Sequence, residues 1–482
     1  MSKKNETPVL LIALLATLLL IGGGLWWFGK RLTNLGGSTS SNFPSQTAPP
    51  LDQNAVAARF SAGEALLVPE GPAPNPTAQS QKQAGVAAMA AKNYPQAVAA
   101  FEAALQAKQN DPEALIYLNN ARIGDQKAYE IAIAVPLDTD VDASLEMLRG
   151  VAQAQDEVNQ KGGIANVPLK IRIVNDGGTP EKARQVAEAI VKDQSILGVI
   201  GHYSSDMSLA AGEVYNQGKV VMISPVSTSV KLSNFGPYVF RTVPSDFVAA
   251  RALANYMLNR LQQKQAAIYF NSQSAYSQSL KSEFASALSL EGGQIVSEFD
   301  LSNPGFNAAD SFKQATQQGA TVLALLPNSG QLDRALQVVQ VNQQRLTLLG
   351  GDDVYAPKTL SVAGAAAQKM VVAVPWHILA NPNVPFVKSS RQLWRADVNW
   401  RTAMAYDAAD ALIAALAAGA QPTRQSIQEA LVNPNFASQT GASGTVKFLP
   451  SGDRNQGVQL VTIEPGKRSG YGFDFVPLSN NP

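Results

Sequence analysis

From Tyr129 to the C-terminus, apolar runs of strand length alternate with helix-period segments, which restricts this part of the chain to an α/β architecture with mainly parallel strands. YEIAIAVPL, LKIRIVND and ILGVIG are the first such runs, separated by RGVAQAQDEVNQKGG and PEKARQVAEAIVKD. QAAIYF, QIVSEF, TVLALLP and LTLLGG repeat the pattern after Val243, and VVAVP and SGTVKFLP follow them. That is too many strands for one small open sheet. Two sheets, with the chain crossing between them near Val243, Val374 and Gly441, account for the length. The expected lobes are residues 129–243 with 375–440, and residues 244–374 with 441–482.

Two of the apolar runs empty into hydroxyl-rich loops. LGVIGHYSSDMS (residues 197–208) and VVMISPVSTS (residues 220–229) place Ser204, Ser205, Ser224, Ser227 and Thr228 at neighbouring strand ends if the strands lie side by side. A helix starting at Ser204-Ser205 would add free N–H groups to the same spot, which favours a carboxylate. The alternative is two helix caps and a turn, where Ser and Thr are also common.

Composition narrows the chemistry. The absence of cysteine excludes disulfides, thiolate catalysis, Cys-ligated metal and a lipid-modified N-terminal Cys. His202 and His377 are far apart and lack metal-ligand spacing, so no metal or other cofactor is expected. Only 16% of the 482 residues are Lys, Arg, Asp or Glu, the net charge is +1, and no basic run with interleaved aromatics suits nucleic acid. No P-loop, GxGxxG or GxSxG is present. His202 lies three residues from Ser205, but no orienting carboxylate accompanies the pair in sequence, and an enzyme is not expected.

The N-terminal quarter is organised differently. Lys3 and Lys4 precede an apolar run over residues 9–28 that ends in Trp26-Trp27-Phe28, long enough to cross a bilayer and belted at one interface. It reads as an uncleaved single-pass anchor. Residues 29–80, with PSQTAPP and PEGPAPNP, read as a disordered Pro/Ser-rich linker, interrupted by AVAARFSAGEALLV (residues 55–68), an amphipathic stretch that is either a helix that docks elsewhere or a transient local preference. Over residues 81–126, Ala84, Ala88, Ala91, Ala97, Phe101 and Ala104 recur at helical spacing, Tyr94 marks a turn and Pro112 opens another helix. This segment resembles one tetratricopeptide repeat. A single repeat cannot bury a continuous core, so it would self-associate, pack on the main domain or act as a spacer.

The order and spacing of GVAQAQDEVNQKGGI, VIGHYSS, MISPVSTS, YVFRTVPSD, LLGGDD and AYDAADAL resemble extracytoplasmic solute-binding proteins of the branched-chain amino acid class. These proteins have the two-lobed type I periplasmic-binding fold, two Rossmann-like parallel sheets joined by three crossovers. The resemblance covers residues 129–482 and implies a receptor for an amino acid or similar zwitterion, partnered by an ABC permease at the bacterial inner membrane, with the main domain outside the cytoplasm. It assigns the ligand carboxylate to Ser205 and the ammonium to the Val226 carbonyl and Asp352. Thr228 would hydrogen-bond the ligand and Tyr276 would approach from the second lobe. Tyr203, Ser204, Asp353 and Trp376 are further candidates, with Asp353 able to exchange roles with Asp352.

The chain also departs from the family. Asp138, Asp140, Asp142 and Ser144 follow the first strand, either to meet a basic ligand or to face solvent, and Pro327-Asn328-Ser329 stands where an aromatic often lines the pocket. A different reading is an envelope scaffold or regulator that uses the fold for protein interaction, with the helical hairpin as a docking element, or a ligand sensor.

Overall fold

A computed structural model describes residues 53–71, 74–380, 382–419 and 421–478. The proposed anchor at 9–28 and the first part of the linker lie outside the described residues. Among the described residues no helix is long and apolar enough to cross a membrane.

The helices are α1 (Gln53–Ala57), α2 (Pro76–Ala90), α3 (Tyr94–Ala107), α4 (Pro112–Ile123), α5 (Val141–Gln160), α6 (Pro180–Lys192), α7 (Ser205–Gly218), α8 (Asp246–Asn255), α9 (Ala275–Leu290), α10 (Ala308–Gln317), α11 (Leu332–Asn342), α12 (Pro385–Trp394), α13 (Trp400–Ala417) and α14 (Arg424–Val432). The first sheet contains β1 (Phe60–Ser61), β2 (Tyr129–Val135), β3 (Leu169–Asn175), β4 (Ile196–Ile200), β5 (Val221–Ser224) and β6 (Val239–Arg241) in the order β1-β3-β2-β4-β5-β6. The second contains β7 (Gln265–Phe270), β8 (Gln294–Asp300), β9 (Val322–Leu326), β10 (Thr347–Gly350), β11 (Val371–Val374), β12 (Gln459–Pro465) and β13 (Phe473–Pro477) in the order β13-β12-β11-β10-β9-β7-β8. Strands β2 to β6 and β7 to β11 pair in parallel, while β1, β12 and β13 add antiparallel edges. This is a two-lobed α/β fold with mixed sheets.

Continuous burial follows from helices on both faces of each sheet. Ile131, Ile133 and Val135 of β2 share a core with Met147, Leu148 and Val151 of α5 and with Trp400 and Met404 of α13. Helices α5 and α13 approach closely at Gly150, where a Cβ would lie 2.3 Å from the Thr402 carbonyl oxygen. In the second lobe Val322, Ala324 and Leu326 of β9 pack with Leu280 and Phe284 of α9.

Residues 53–71, read from composition as disordered linker, are ordered in this structure. Phe60 and Ser61 pair with Val174 and Ile173, extending the first sheet beyond β3. The Glu113 carboxylate, fully buried on α4, accepts from the N–H groups of Leu67 and Val68 at 2.7 and 3.0 Å and pairs with Lys82 at 2.7 Å. These tertiary partners fix a stretch bounded by the proline-rich segments PSQTAPP and PEGPAPNP. The hairpin helices begin at Pro76, before the expected residue 81, and α4 packs on α5 and β3.

The third crossover lies later than Gly441. Arg241 donates its backbone N–H to the Gly452 carbonyl at 3.0 Å and its Nε to Asp453 at 2.6 Å, while Arg454 pairs with Asp407 of α13. Residues 441–454 therefore stay on the first lobe, and the chain reaches the second sheet at Gln459. SGTVKFLP forms only isolated bridges, Ser438 with Val446 and Phe448 with Arg454, because its partners are loop residues and not a sheet edge.

Candidate functional site

The ends of β4 and β5 meet as the sequence suggested, but their hydroxyls divide into two groups. Ser204 is the N-cap of α7, its Oγ accepting from Met207 N at 3.4 Å. Ser224 Oγ donates to the His202 carbonyl at 2.9 Å and Ser227 Oγ to that of Tyr203 at 3.2 Å, bracing one loop on the other. Ser205 Oγ accepts from Ser229 N at 3.2 Å and so joins the α7 N-terminus to the second loop. Val226 and Thr228 are buried on that loop, and Thr228 Oγ1 has no hydrogen-bond partner.

The second lobe supplies Tyr276, in the first turn of α9, and Asp352, in the turn after β10. The Tyr276 hydroxyl donates to Asp352 Oδ1 at 2.5 Å, and both residues are buried. Burial pushes the Asp352 carboxyl up, the Tyr276 hydrogen bond opposes this, and the nearby charge of Asp246 adds to it.

Asp246, at the start of α8, is a site residue that sequence reasoning missed. Its N–H donates to the Thr228 carbonyl at 2.8 Å, its side chain is buried, and Oδ2 has no hydrogen-bond partner. Burial raises its pKa to about 7 against the pull of the nearby Ser279 and Thr228 hydroxyls and Arg241. Thr228, Asp246, Tyr276 and Asp352 thus form one cluster of buried oxygens, acidic in balance, because the cations that act on it, Arg241 and Arg401, are each ion-paired with another carboxylate, Asp453 and Asp353. Such a cluster is costly empty and suits an ammonium group. The signal in sequence was the acid closing YVFRTVPSD, directly after a Ser in helix-cap position.

Arg401 was missed as well. This α13 residue reaches across the cleft to Asp353, Nη2 to Oδ1 at 2.8 Å, and lies 3.5 Å from the Tyr203 hydroxyl. Asp353 Oδ2 also accepts from Ser329 N at 3.0 Å. Two further contacts join the lobes: the Asp206 carboxylate accepts from Ala275 N at 3.1 Å, and Ser279 Oγ accepts from Val230 N at 3.0 Å. Asp353 is therefore an interlobe ion-pair partner, while Asp352 bonds Tyr276. Trp376 lies on the crossover after β11, buried and edge-on to Phe386 of α12 with ring centroids 5.9 Å apart.

The acidic loop after β2 is structural. Asp140 caps α5 through Ala143 N at 3.1 Å, and Asp138 pairs with Arg59 at 3.2 Å and Lys182 at 3.1 Å. His202 does have a carboxylate partner, Asp176 at 2.7 Å from Nδ1, but its Nε2 faces the Tyr215 hydroxyl at 3.2 Å and not a serine. Among the described residues no cluster of His, Asp and Glu has metal-binding geometry.

Two lobes facing each other across hydroxyls, a helix N-terminus and buried acids define a binding protein of the two-lobed class. The periplasmic binding protein family matches residues 128–468, and the chain belongs to that family. It is 26% identical over 70% of its length to the Leu/Ile/Val-binding protein BraC3 of Rhizobium johnstonii, covering 92% of that protein. It is 24% identical over 65% of its length to the leucine-, isoleucine-, valine-, threonine-, and alanine-binding protein of Pseudomonas aeruginosa, covering 85% of it. The crystal structure of a leucine binding protein from Thermotoga maritima superposes with a TM-score of 0.63 at 20% identity, covering 72% of this chain and 98% of that one.

Proposed function

We propose that the protein is an extracytoplasmic receptor that closes its two lobes around an α-amino acid and presents it to the permease of an ABC importer. The observation that carries this reading is the cluster of Thr228, Asp246, Tyr276 and Asp352, a buried acidic site contributed by both lobes in a family whose matched relatives are named for amino acids. In this reading the ligand carboxylate takes the N-terminus of α7 and the Ser205 hydroxyl, where the helix dipole favours an anion. The ammonium takes Asp352, Asp246, the Val226 carbonyl and Thr228 Oγ1. Tyr276 holds Asp352 in place, and Tyr203, Ser204 and Asp353 border the site. Ligand contacts that need both lobes shift the population toward the closed form, which is the signal for the permease.

Residues 9–28 would hold the receptor at the inner membrane, with the following segment as a tether. The helical hairpin belongs in this reading to the first lobe, with its outer face available to a partner.

Asp352→Asn tests the assignment, because asparagine can still accept from Tyr276 while losing the charge. Titration calorimetry should show amino-acid affinity lowered by about 100-fold with the melting temperature of the ligand-free protein nearly unchanged. Unaltered affinity would refute the ammonium role.

A further inference from the structure

Arg401 is a buried cation in the cleft whose hydrogen-bonding capacity is only partly used. Its side chain is 7% exposed, its Nη2 binds Asp353, and its Nε is buried without a hydrogen-bond partner. The guanidinium sits 4.3 Å over the Trp400 ring, and Asp353 is anchored by Ser329 N, so the pair is held from both sides. Asp353, Asp352 and Asp140 all act on this one guanidinium, so carboxylates outnumber it locally.

These facts rank the groups a ligand could place against Arg401. An aliphatic side chain would leave the Nε–H buried and unpaired, at the full desolvation cost of a donor on a charged group. A second carboxylate could accept that hydrogen bond but would enter beside acids that already outnumber the cation. A neutral oxygen accepts the bond and leaves the Arg401–Asp353 pair intact. We infer that Arg401 sets the side-chain class of the ligand: an α-amino acid ending in an uncharged oxygen acceptor, a carboxamide above all, taken in preference to aliphatic and acidic ones. This rests on the amino-acid receptor reading above and adds the class of side chain to it.

The experiment is calorimetric titration of the full chain, freed of co-purified ligand, with L-glutamine, L-asparagine, L-leucine and L-glutamate. An amide should bind at least about ten-fold more tightly than leucine and than glutamate, the scale expected for one hydrogen bond to a charged donor. Arg401→Leu should abolish or invert the preference over leucine. Arg401→Lys, which keeps a cation for Asp353 but has no Nε–H, should narrow it and serves if the leucine variant does not fold. Tighter binding of leucine or glutamate by the wild type, or an unchanged ratio in a folded variant, would overturn the inference while leaving the receptor reading in place. Absence of binding by all four, with native unfolding behaviour, would overturn the inference, and failure of every other amino acid as well would overturn the receptor reading with it.

Discussion

The side-chain amide of Asn120 acts as a strand partner for Ile171: Nδ2 donates to the Ile171 carbonyl at 2.7 Å and Oδ1 accepts from the Ile171 N–H at 3.2 Å. Strand β1 pairs only with Val174 and Ile173, so without Asn120 the outer edge of β3 would be buried and unpaired at Ile171. The same amide donates to the Ala62 carbonyl at 2.8 Å and accepts from Gln155 at 2.8 Å. One α4 residue thereby ties the hairpin, the segment before it and the first lobe together. Asn120→Leu should cost about 3 kcal/mol, because it leaves several buried backbone groups unpaired. Urea unfolding measures this, and a cost under about 0.5 kcal/mol would show that the amide contributes little.

The same geometry predicts that the α/β region does not stand well without the hairpin. A chain beginning at Ala128 loses Asn120, the packing of α4 on α5 and β3, and the pairing of β1. Compared with the longer chain in the same buffer, it should unfold at a lower temperature and expose apolar surface to a hydrophobic dye. Identical unfolding of the two would show that the hairpin is an independent module.

The Arg241–Asp453 pair marks where the last loop of the first lobe is fastened before the third crossover. Arg241 is almost fully buried, and its guanidinium also donates to the Ser229 carbonyl at 2.8 Å, on the loop that carries Thr228. Asp453→Ala leaves that buried cation without its carboxylate and should destabilise the protein by about 3 kcal/mol, with weaker ligand binding as the Thr228 loop loosens. Denaturation and calorimetry on the same variant check both effects, and full stability would remove the loop-fastening role.

Protonation of Asp246 gives a pH signature whose sign is fixed by its direction of shift. Its folded pKa of about 7 lies above the unfolded value of about 3.9, so between those limits the folded ligand-free chain holds a proton that the unfolded chain has lost. Its contribution to stability therefore becomes more favourable as pH falls from about 7 toward about 4. His377, pushed down to about 4 chiefly by burial, has the opposite slope between about 4 and its ordinary value of about 6.5. Comparing wild type with Asp246→Asn isolates the aspartate: the variant should gain relative stability at pH 8 and lose that advantage by pH 5. Ligand ammonium favours the charged carboxylate, so affinity should weaken below about pH 7 in the wild type and less so in the variant. Parallel pH curves would contradict the assignment.

The sheets were legible because buried parallel strands read as apolar runs, as YEIAIAV and VLALL do. Ser205, Thr228, Tyr276 and Asp352 were named through the family resemblance, and the fold joins Tyr276 to Asp352 by a hydrogen bond and Ser205 to the loop that carries Thr228. Asp246 and Arg401 were not legible as site residues, since their significance depends on partners such as Asp352 and Asp353 that are distant in sequence. SGTVKFLP has a strand's composition, but the buried Arg241 and Asp407 hold its surroundings on the first lobe. The amphipathic stretch at residues 55–68 left docking open, but its partners Ile173 and Glu113 are distant in sequence and are not legible from the stretch itself.

Amino-acid binding between the lobes is tested most directly by the melting temperature of the ligand-free full chain in the presence of each proteinogenic amino acid. A ligand that binds only the folded state raises it in proportion to the logarithm of its excess over Kd. A clear, concentration-dependent rise is expected with a subset of amino acids, lost in Asp352→Asn. An unchanged melting temperature with every one of them, in protein that unfolds cooperatively, would contradict it.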